Sequence, residues 1–443
     1  MADKKKKMHL GMFLLPAGHH LSAWRLPGVE PAGWKDMGFL ADIARTAERG
    51  KFDLIFLADA DGLWQPDLEA LSRDPGALFL EPFTLLSALA MVTDKIGLVA
   101  SASTTYNAPF HVARKLASLD HISRGRAGWN IVTSFQTHIA ANFGMDTQPL
   151  HADRYRVADE YVQLACELWD SWDDEALVCD KESGQYLDLN HLHVPEHTGE
   201  TYSVKGPLNI SRPPQGHPVL VQAGSSDAGK TLAAKFADII FTVQTTLESA
   251  QSFYADVKAR ARAAGRDPDT VKVMPGIFPV IAETEEEADR TFEEMQRYVD
   301  PRNGLSMLAG YGFPIDMTKH DLDDPFPELP ETEGQQWRRQ VIMDLARKDD
   351  LTIRQVCRLV AVSRGHFFVK GTPETVANVM QDWLEGGAAD GFNLMLPKMP
   401  SSLEGFVDKV VPELQKRGLF RTEYEGQMLR DHLGLARPAA RRD

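Results

Sequence analysis

The sequence predicts an α/β fold, a (β/α)8 barrel enlarged by insertions, and three observations predict it. Short apolar runs recur near residues 10, 56, 99, 130, 221, 241, 276 and 394, eight in all. Segments of helical spacing separate them, which is the pattern of a parallel sheet with right-handed crossovers. Several runs also end in polar residues, as barrel strands do where they deliver groups to one rim. An open doubly wound sheet is the alternative.

Met8 to Leu15 is near-continuously apolar and empties into Pro16-Ala17-Gly18-His19-His20, so two histidines stand just past a strand end. Leu40, Ile43, Ala44 and Ala47 follow helical spacing from Asp36 to Arg49, and Gly50 supplies the stop. The strand Leu54 to Ala58 is followed at once by Asp59, a carboxylate that serves equally well as a helix cap or as a ligand contact. A helix from Pro82 to Thr93 leads to the strand Ile96 to Ser103 and its polar end, Thr104-Thr105-Tyr106-Asn107. Pro109 opens the next helix, whose Val112, Leu116 and Leu119 share one face.

The stretch from Ser123 to Ser134, SRGRAGWNIVTS, carries the densest signal. Its glycines open a buried strand that ends in Asn130, Thr133 and Ser134, with Val132 between them. After the loop 135–152, a helix runs to Trp172. His151 and Tyr155 are four apart and share a face if that helix starts early; otherwise Asp153 caps it.

Residues 173–217 are polar and rich in Pro, Gly and His, and are expected to cross the open end of the sheet as an insertion. Their His191, His193 and His197 lack carboxylates at ligand spacing, so no metal is expected. Pro218 to Ala223 is a buried strand running into Gly224-Ser225-Ser226-Asp227-Ala228-Gly229-Lys230-Thr231, which matches GxxxxGK[ST] literally. A P-loop nucleotide-hydrolysing enzyme would also need a later strand ending in a magnesium-binding Asp, and the strands near 241 and 276 lack one. What remains is the local physics: a Gly-rich turn at a helix N-terminus binds an anion, so a cofactor phosphate is expected there. A second insertion, 300–370, contains the acidic DLDDPFPELPETEG and is expected to be partly helical. Thr372 and Pro373 then open a helix, Gly391 to Leu396 is the last strand, and Leu403 to Leu414 closes the chain.

A formal charge of −15 argues against nucleic acid and anionic membranes as partners. Three scattered cysteines, Cys166, Cys179 and Cys357, indicate neither disulfides nor a Cys-type zinc site and fit a reducing cytoplasm. The MADKKKK start reads as a solvated tail, with no transmembrane segment after it. Trp24, Trp64 and Phe79 suggest an apolar lining, and Arg25 an anion contact, without choosing a substrate.

The segments GRAGWNIVTS, HADRY, RPPQGHPVLVQAGSSDAGK and GGAADGFNLM, in that order, resemble the flavin-dependent monooxygenases of the bacterial luciferase-like superfamily. The branch they resemble contains nitrilotriacetate monooxygenase component A, dibenzothiophene sulfone monooxygenase and long-chain alkane monooxygenase. The resemblance implies a single luciferase-like TIM barrel over 1–443, with the segments 135–152, 173–217 and 300–370 as lids over the C-terminal face. It implies a cytoplasmic homodimer or homotetramer that takes reduced FMN from a separate NAD(P)H:flavin reductase. With O2 as co-substrate, a flavin C4a-hydroperoxide would then oxygenate a small organic substrate, xenobiotics included. Asp59, Thr104 or Thr105, and Asn130 to Ser134 would line the flavin ring; His151 and Tyr155 would contact the flavin. Ala223, Gly224, Ser225 and Ser226 would hold its phosphate, and His19 and His20 are the catalytic candidates. The rival expectations are the P-loop enzyme, in which Lys230 is essential, and a non-catalytic flavin-binding protein.

Overall fold

In the computed structural model, which describes residues 6–64, 67–311, 319–328 and 336–440, eight parallel strands close into a ring. They are β1 (His9–Phe13), β2 (Leu54–Leu57), β3 (Gly97–Ser103), β4 (Ala127–Val132), β5 (Val219–Gln222), β6 (Ile239–Thr242), β7 (Lys272–Ile281) and, last in the chain, β9 (Gly391–Leu394). Neighbours in the ring follow chain order. β9 closes it by pairing His9 with Gly391 on one side and Gly276 with Asn393 on the other. The barrel expectation therefore holds, and the open sheet does not. The charged tail's first five residues and part of the acidic stretch after Asp321 lie outside the described residues.

One strand of the barrel sheet escapes the sequence reading. β8 (Phe367–Gly371) is a ninth strand, where the chain reads as the end of an insertion. It pairs with the upper half of β7, from Phe367 against Ile277 to Gly371 against Ile281, while β6 pairs with the lower half at Lys272 to Pro275. β7 is ten residues long, so it extends past its neighbours and offers β8 a free length of edge. The segment before β8 is helical at Pro301–Gly310, Gln336–Lys348 and Ile353–Ser363, packed around Met307, Tyr311, Val356 and Val360.

The strands form where continuous apolar runs can be buried on both faces, and alternation then sorts their side chains. Leu54 and Phe56 point into the barrel with Val99, Val221, Phe241 and Met274, while Ile55 and Leu57 pack against the outer helices. Helix starts follow local chemistry. Asp36 accepts from the N–H groups of Gly38 and Phe39 at 2.9 and 3.1 Å, Pro82 and Pro109 open their helices, and Thr372 accepts from Thr375 N–H at 3.2 Å.

Residues 173–217 lie along the helix His151–Trp169. His197 of this segment is held between Glu160 and Glu167, and Leu208 packs with Trp169. His191 and His193 share the Asp173 carboxylate at 3.1 Å each. The bottom of the barrel is closed by the C-terminal stretch, where Leu429, Leu433 and Leu435 join the barrel interior. Among the described residues no helix is long and apolar enough to cross a membrane.

Candidate active site

The strand ends meet around a cavity of about 260 Å³ at the C-terminal mouth of the barrel. Its floor is made of Phe13, Phe56, Ser101, Asn130, Gln222, Phe241 and Met395, contributed by seven of the eight ring strands or the residues just after them. Of the residues singled out in the sequence, Asp59, Asn130, Val132, Thr133, Ser134, His151, Tyr155, Ala223, Gly224, Ser225 and Ser226 line this cavity together.

One end is a Ser-lined helix N-terminus, a cradle whose charge suits an anion. The helix Asp227–Phe236 follows β5, and Ser226 caps it by accepting from Gly229 N–H at 3.2 Å. Ser225 bonds to Thr242 at 3.1 Å, which fixes the loop against β6. The helix His151–Trp169 starts early enough for His151 and Tyr155 to pack together, ring centroids 4.8 Å apart, and Asp153 stands inside its first turn rather than capping it. The Tyr155 hydroxyl meets Ser226, Thr133 and Gln222, and burial raises its pKa, so it stays a protonated hydrogen-bonding group. Gly224 is required here. An added Cβ would lie 2.5 Å from the Tyr155 hydroxyl and closer still to the Gln222 amide.

Lys230, the lysine of the P-loop pattern, does not line the cavity; it pairs with Asp256 at 2.5 Å. The match is thus a helix N-terminus whose lysine is engaged on the neighbouring helix.

The middle of the cavity is polar on its floor. Asn130 donates to Ser101 at 2.7 Å, which leaves its Oδ1 buried without a partner; Gln222 Oε1 is in the same condition. Such orphaned acceptors are costly unless a ligand donates to them. Ser134 adopts a left-handed backbone with φ of 51° and shares a 2.7 Å hydrogen bond with Ser103. A non-glycine residue in that conformation is the kind of local strain that gathers at functional sites. Asp59 is pushed up to about 6, first by burial and then by the nearby Asp61 and Glu81 charges, against the Ala60 N–H that favours its carboxylate.

Thr104 and Thr105 do not line the cavity. Their hydroxyls donate to the carbonyls of Val132 and Thr133 at 3.3 and 2.7 Å, so they hold the end of β4. His19 and His20 are also outside the lining. His19 lies behind Phe13, its Nε2 bonded to the Phe13 carbonyl at 2.8 Å, and His20 Nδ1 accepts from Ser22 N–H at 3.1 Å. Burial, helped at His19 by the Arg364 charge, lowers their pKa values to about 3 and about 4, so both are neutral at pH 7. Trp24 and Arg25 line a separate cleft with Tyr298 and Asn303.

Sequence reasoning missed Arg154, Gln222, Tyr311, Arg364 and His366, all of which line the cavity. Arg154 and Gln222 carried a usable signal, since each is next to a residue already chosen by position. Tyr311, Arg364 and His366 carried none, because they come from the segment before β8, whose course the sequence does not show.

A Ser-capped helix N-terminus at one end of a barrel mouth and orphaned amide oxygens on its floor suit a barrel enzyme whose cofactor has a phosphate tail and a flat, hydrogen-bonding ring. The comparisons agree. Residues 8–390 match the family of luciferase-like monooxygenases. The chain is 48% identical to N-acetyl-S-(2-succino)cysteine monooxygenase of Bacillus subtilis, over 100% of this chain and 99% of that protein. It is 49% identical to nitrilotriacetate monooxygenase component A of Aminobacter aminovorans, over 98% and 97%. The crystal structure of DmoA from Hyphomicrobium sulfonivorans superposes with a TM-score of 0.89 at 32% identity, covering 97% of this chain and 92% of that one. The chain belongs to the luciferase-like monooxygenase family and is a flavin-dependent monooxygenase. The residues present fit a flavin: the buried acceptors on Asn130 and Gln222 suit the ring's N–H groups, and the Gly224 cradle suits its phosphate.

Proposed function

We propose that the protein is the oxygenase of a two-component system, taking reduced FMN from a separate NAD(P)H:flavin reductase and using O2 to oxygenate a small organic molecule. The observation that carries this reading is the single cavity that joins the Gly224 cradle to the orphaned Asn130 and Gln222 oxygens. When bound, reduced flavin supplies the activation of O2 and the transfer of one oxygen atom.

The chain's own residues do the rest. Ser225, Ser226, Tyr155 and the helix N-terminus behind them hold the phosphate, with His151 and Arg154 beside them. Asn130, Gln222 and the backbone from Val132 to Ser134 fix the ring, and Asp59 borders it. Thr104 and Thr105 act one step back, holding the end of β4 in register. His19 and His20 act in the same indirect way in this reading, as neutral groups that brace Phe13 and the segment after β1.

Water must be kept from the reacting atoms, and the segments 135–152 and 300–370 contribute Phe135, Gln136, Tyr311, Arg364 and His366 to the cavity wall, as lids would. Residues 173–217 contribute none to it. The reading extends to a cytoplasmic homodimer or homotetramer.

The test is an anaerobic titration with reduced FMN, followed by mixing with oxygenated buffer while the flavin spectrum is recorded. A saturable complex whose reoxidation is far slower than that of free reduced FMN is expected. No complex, or reoxidation at the free rate, would overturn the reading.

A further inference from the structure

The loop after β2 carries two carboxylates two residues apart, Asp59 and Asp61, and the chain treats them differently. Asp61 is furnished with donors. Ser134 Oγ reaches Asp61 Oδ2 at 3.5 Å, and the Asn107 side chain bonds to the same carboxylate. Ser134 is itself fixed, because its Oγ lies 2.7 Å from Ser103 Oγ, which accepts from Thr105 N–H at 3.2 Å. A row of hydrogen bonds thus runs from the end of β3 to Asp61 and favours its ionised form. Among the described residues Asp59 has only the adjoining Ala60 N–H, at 2.9 Å. Of the two carboxylates, it is Asp59 that lines the cavity.

The charges that act on Asp59 are negative. Burial comes first, and the Asp61 and Glu81 carboxylates add to it, which brings Asp59 to about 6. Tyr106, beside Asp61, is pushed up in the same way and stays a neutral phenol. The two cations that line the cavity are placed elsewhere. Arg154 stands next to Tyr155 and so by the Gly224 cradle, with His151. Arg364 Nη2 lies by Gly76 and the Asp74 carboxylate, and Tyr311 and His366 come with it from the segment before β8. Asp59 is half-buried and keeps contact with solvent. A flat ring laid against it removes that contact, and desolvation beside two like charges favours the neutral acid. The acid also complements the floor. Asn130 and Gln222, buried with orphaned oxygens, offer acceptors to the ring, whereas a protonated Asp59 offers it a donor.

We propose that Asp59 takes up a proton as the cofactor binds and meets it as a carboxylic acid, and that Asp61, held ionised by Ser134 and Asn107, is the positioning residue that keeps the proton on Asp59. Two carboxylates of one loop are thereby divided into an anion facing the protein and an acid facing the ligand. The inference rests on the flavin reading of the cavity.

The test is anaerobic calorimetric titration of the full-length protein with reduced FMN, in pairs of buffers with different ionisation enthalpies, which counts the protons bound. Titration of the flavin itself is common to all variants and cancels in the differences between them. At pH 7 wild type is expected to take up about 0.5–1 proton more than Asp59→Asn. Its affinity for reduced FMN should also fall, relative to that variant, by about three- to tenfold per pH unit above pH 6. Asp61→Asn keeps the acid in the cavity but removes its like charge, so the affinity profile should move by about 0.5–1 unit to lower pH. That shift decides the matter alone should Asp59→Asn fail to fold. Equal proton counts in wild type and Asp59→Asn, or an Asp61→Asn profile that stays in place, would each overturn the proposal and leave the flavin reading intact. A wild type that binds no reduced FMN would overturn the flavin reading, and the proton coupling with it.

Discussion

The two ends of the barrel use the same side chain in opposite ways. At the bottom, Asp53, Asp238 and Asp390 each stand immediately before a strand and accept from an N–H of a neighbouring one: Leu10 at 2.7 Å, Leu220 at 2.9 Å and Val273 at 2.9 Å. Each also meets a cation, respectively Arg421 at 2.6 Å, Arg430 at 3.0 Å and Lys258 at 3.0 Å. Burial alone would raise Asp53 and Asp390, but Arg421 and His9 at the first, and Lys258 and Lys6 at the second, hold both at about 2. At the top, Asp59 is half-buried beside Asp61, with no such cation among the described residues, and rises to about 6. One end has its charges satisfied by the chain itself. The other keeps a carboxylate with no cation beside it among the described residues and two orphaned amide oxygens that face a cavity, and that difference marks which face is for folding and which for ligands.

The largest effect is expected from breaking the bottom. Asp53→Ala leaves the buried Arg421 with the His432 carbonyl but no counter-charge and frees the Leu10 N–H, and should cost about 3–5 kcal/mol in chemical denaturation. A loss below 1 kcal/mol would mean that the bottom carboxylates are no more structural than the top one. Next comes the cradle. Gly224→Val forces a branched side chain onto the Tyr155 hydroxyl and the Gln222 amide, and reduced FMN affinity should fall by roughly a hundredfold or more, about 2.7 kcal/mol. If the cradle is the ligand site proposed above, the melting temperature without flavin should move little. A large loss of stability with affinity intact would reverse the assignment of the two faces.

The comparison sharpens with pH. Asp53 and Asp390 have folded pKa values below the usual 3.8, so their contribution to stability is complete above about pH 4 and disappears as pH falls toward 2. Asp59 has a folded value above 3.8, so its contribution is complete below about pH 4 and is lost as pH rises through 6. Asp59→Asn should therefore flatten the decline in stability between pH 4 and 7, by roughly 1–2 kcal/mol given its partial contact with solvent, and leave the acid limb unchanged. Urea denaturation at fixed pH steps measures both limbs. An unchanged neutral limb in the variant would contradict the raised value.

How much of this was legible depends on whether the signal is local. The eight ring strands and the cradle are written in short contiguous runs, so periodicity and a Gly-Ser turn before a helix reveal them. The bottom carboxylates were legible in part: Phe52-Asp53-Leu54, Ala237-Asp238-Ile239 and Ala389-Asp390-Gly391 repeat one pattern at strand starts. Their partners were not, since Arg421 is 368 residues from Asp53. β8 was hidden because its Phe-Phe-Val-Lys-Gly is short, only half-buried, and preceded by a stretch without strand character. Arg364 and His366 were hidden with it, as their place on the cavity wall depends on where that strand docks. His19 and His20 show the converse. Position after a strand end brought them to notice, but a turn at Gly18, with φ of 109°, carries the chain behind Phe13 instead of over the mouth.

The smallest expected effect divides the two readings of the cradle most sharply. In a nucleotide-hydrolysing P-loop the lysine is a phosphate ligand, and its loss removes binding. Here Lys230 leaves its own helix to meet Asp256, which Arg260 also holds at 2.8 Å, so the Asp256 carboxylate keeps a cation when Lys230 is gone. Both partners are partly exposed, 20% and 35%, which limits what the pair contributes. Lys230→Ala should accordingly cost less than about 1 kcal/mol in stability. It should also leave reduced FMN affinity within about twofold of wild type, because in the proposed reading the phosphate is held by Ser225, Ser226, Tyr155 and the helix N-terminus. Fluorescence titration of wild type and variant side by side measures it. A tenfold or greater loss would return Lys230 to the anion site, and with it the nucleotide reading that its pairing with Asp256 argues against.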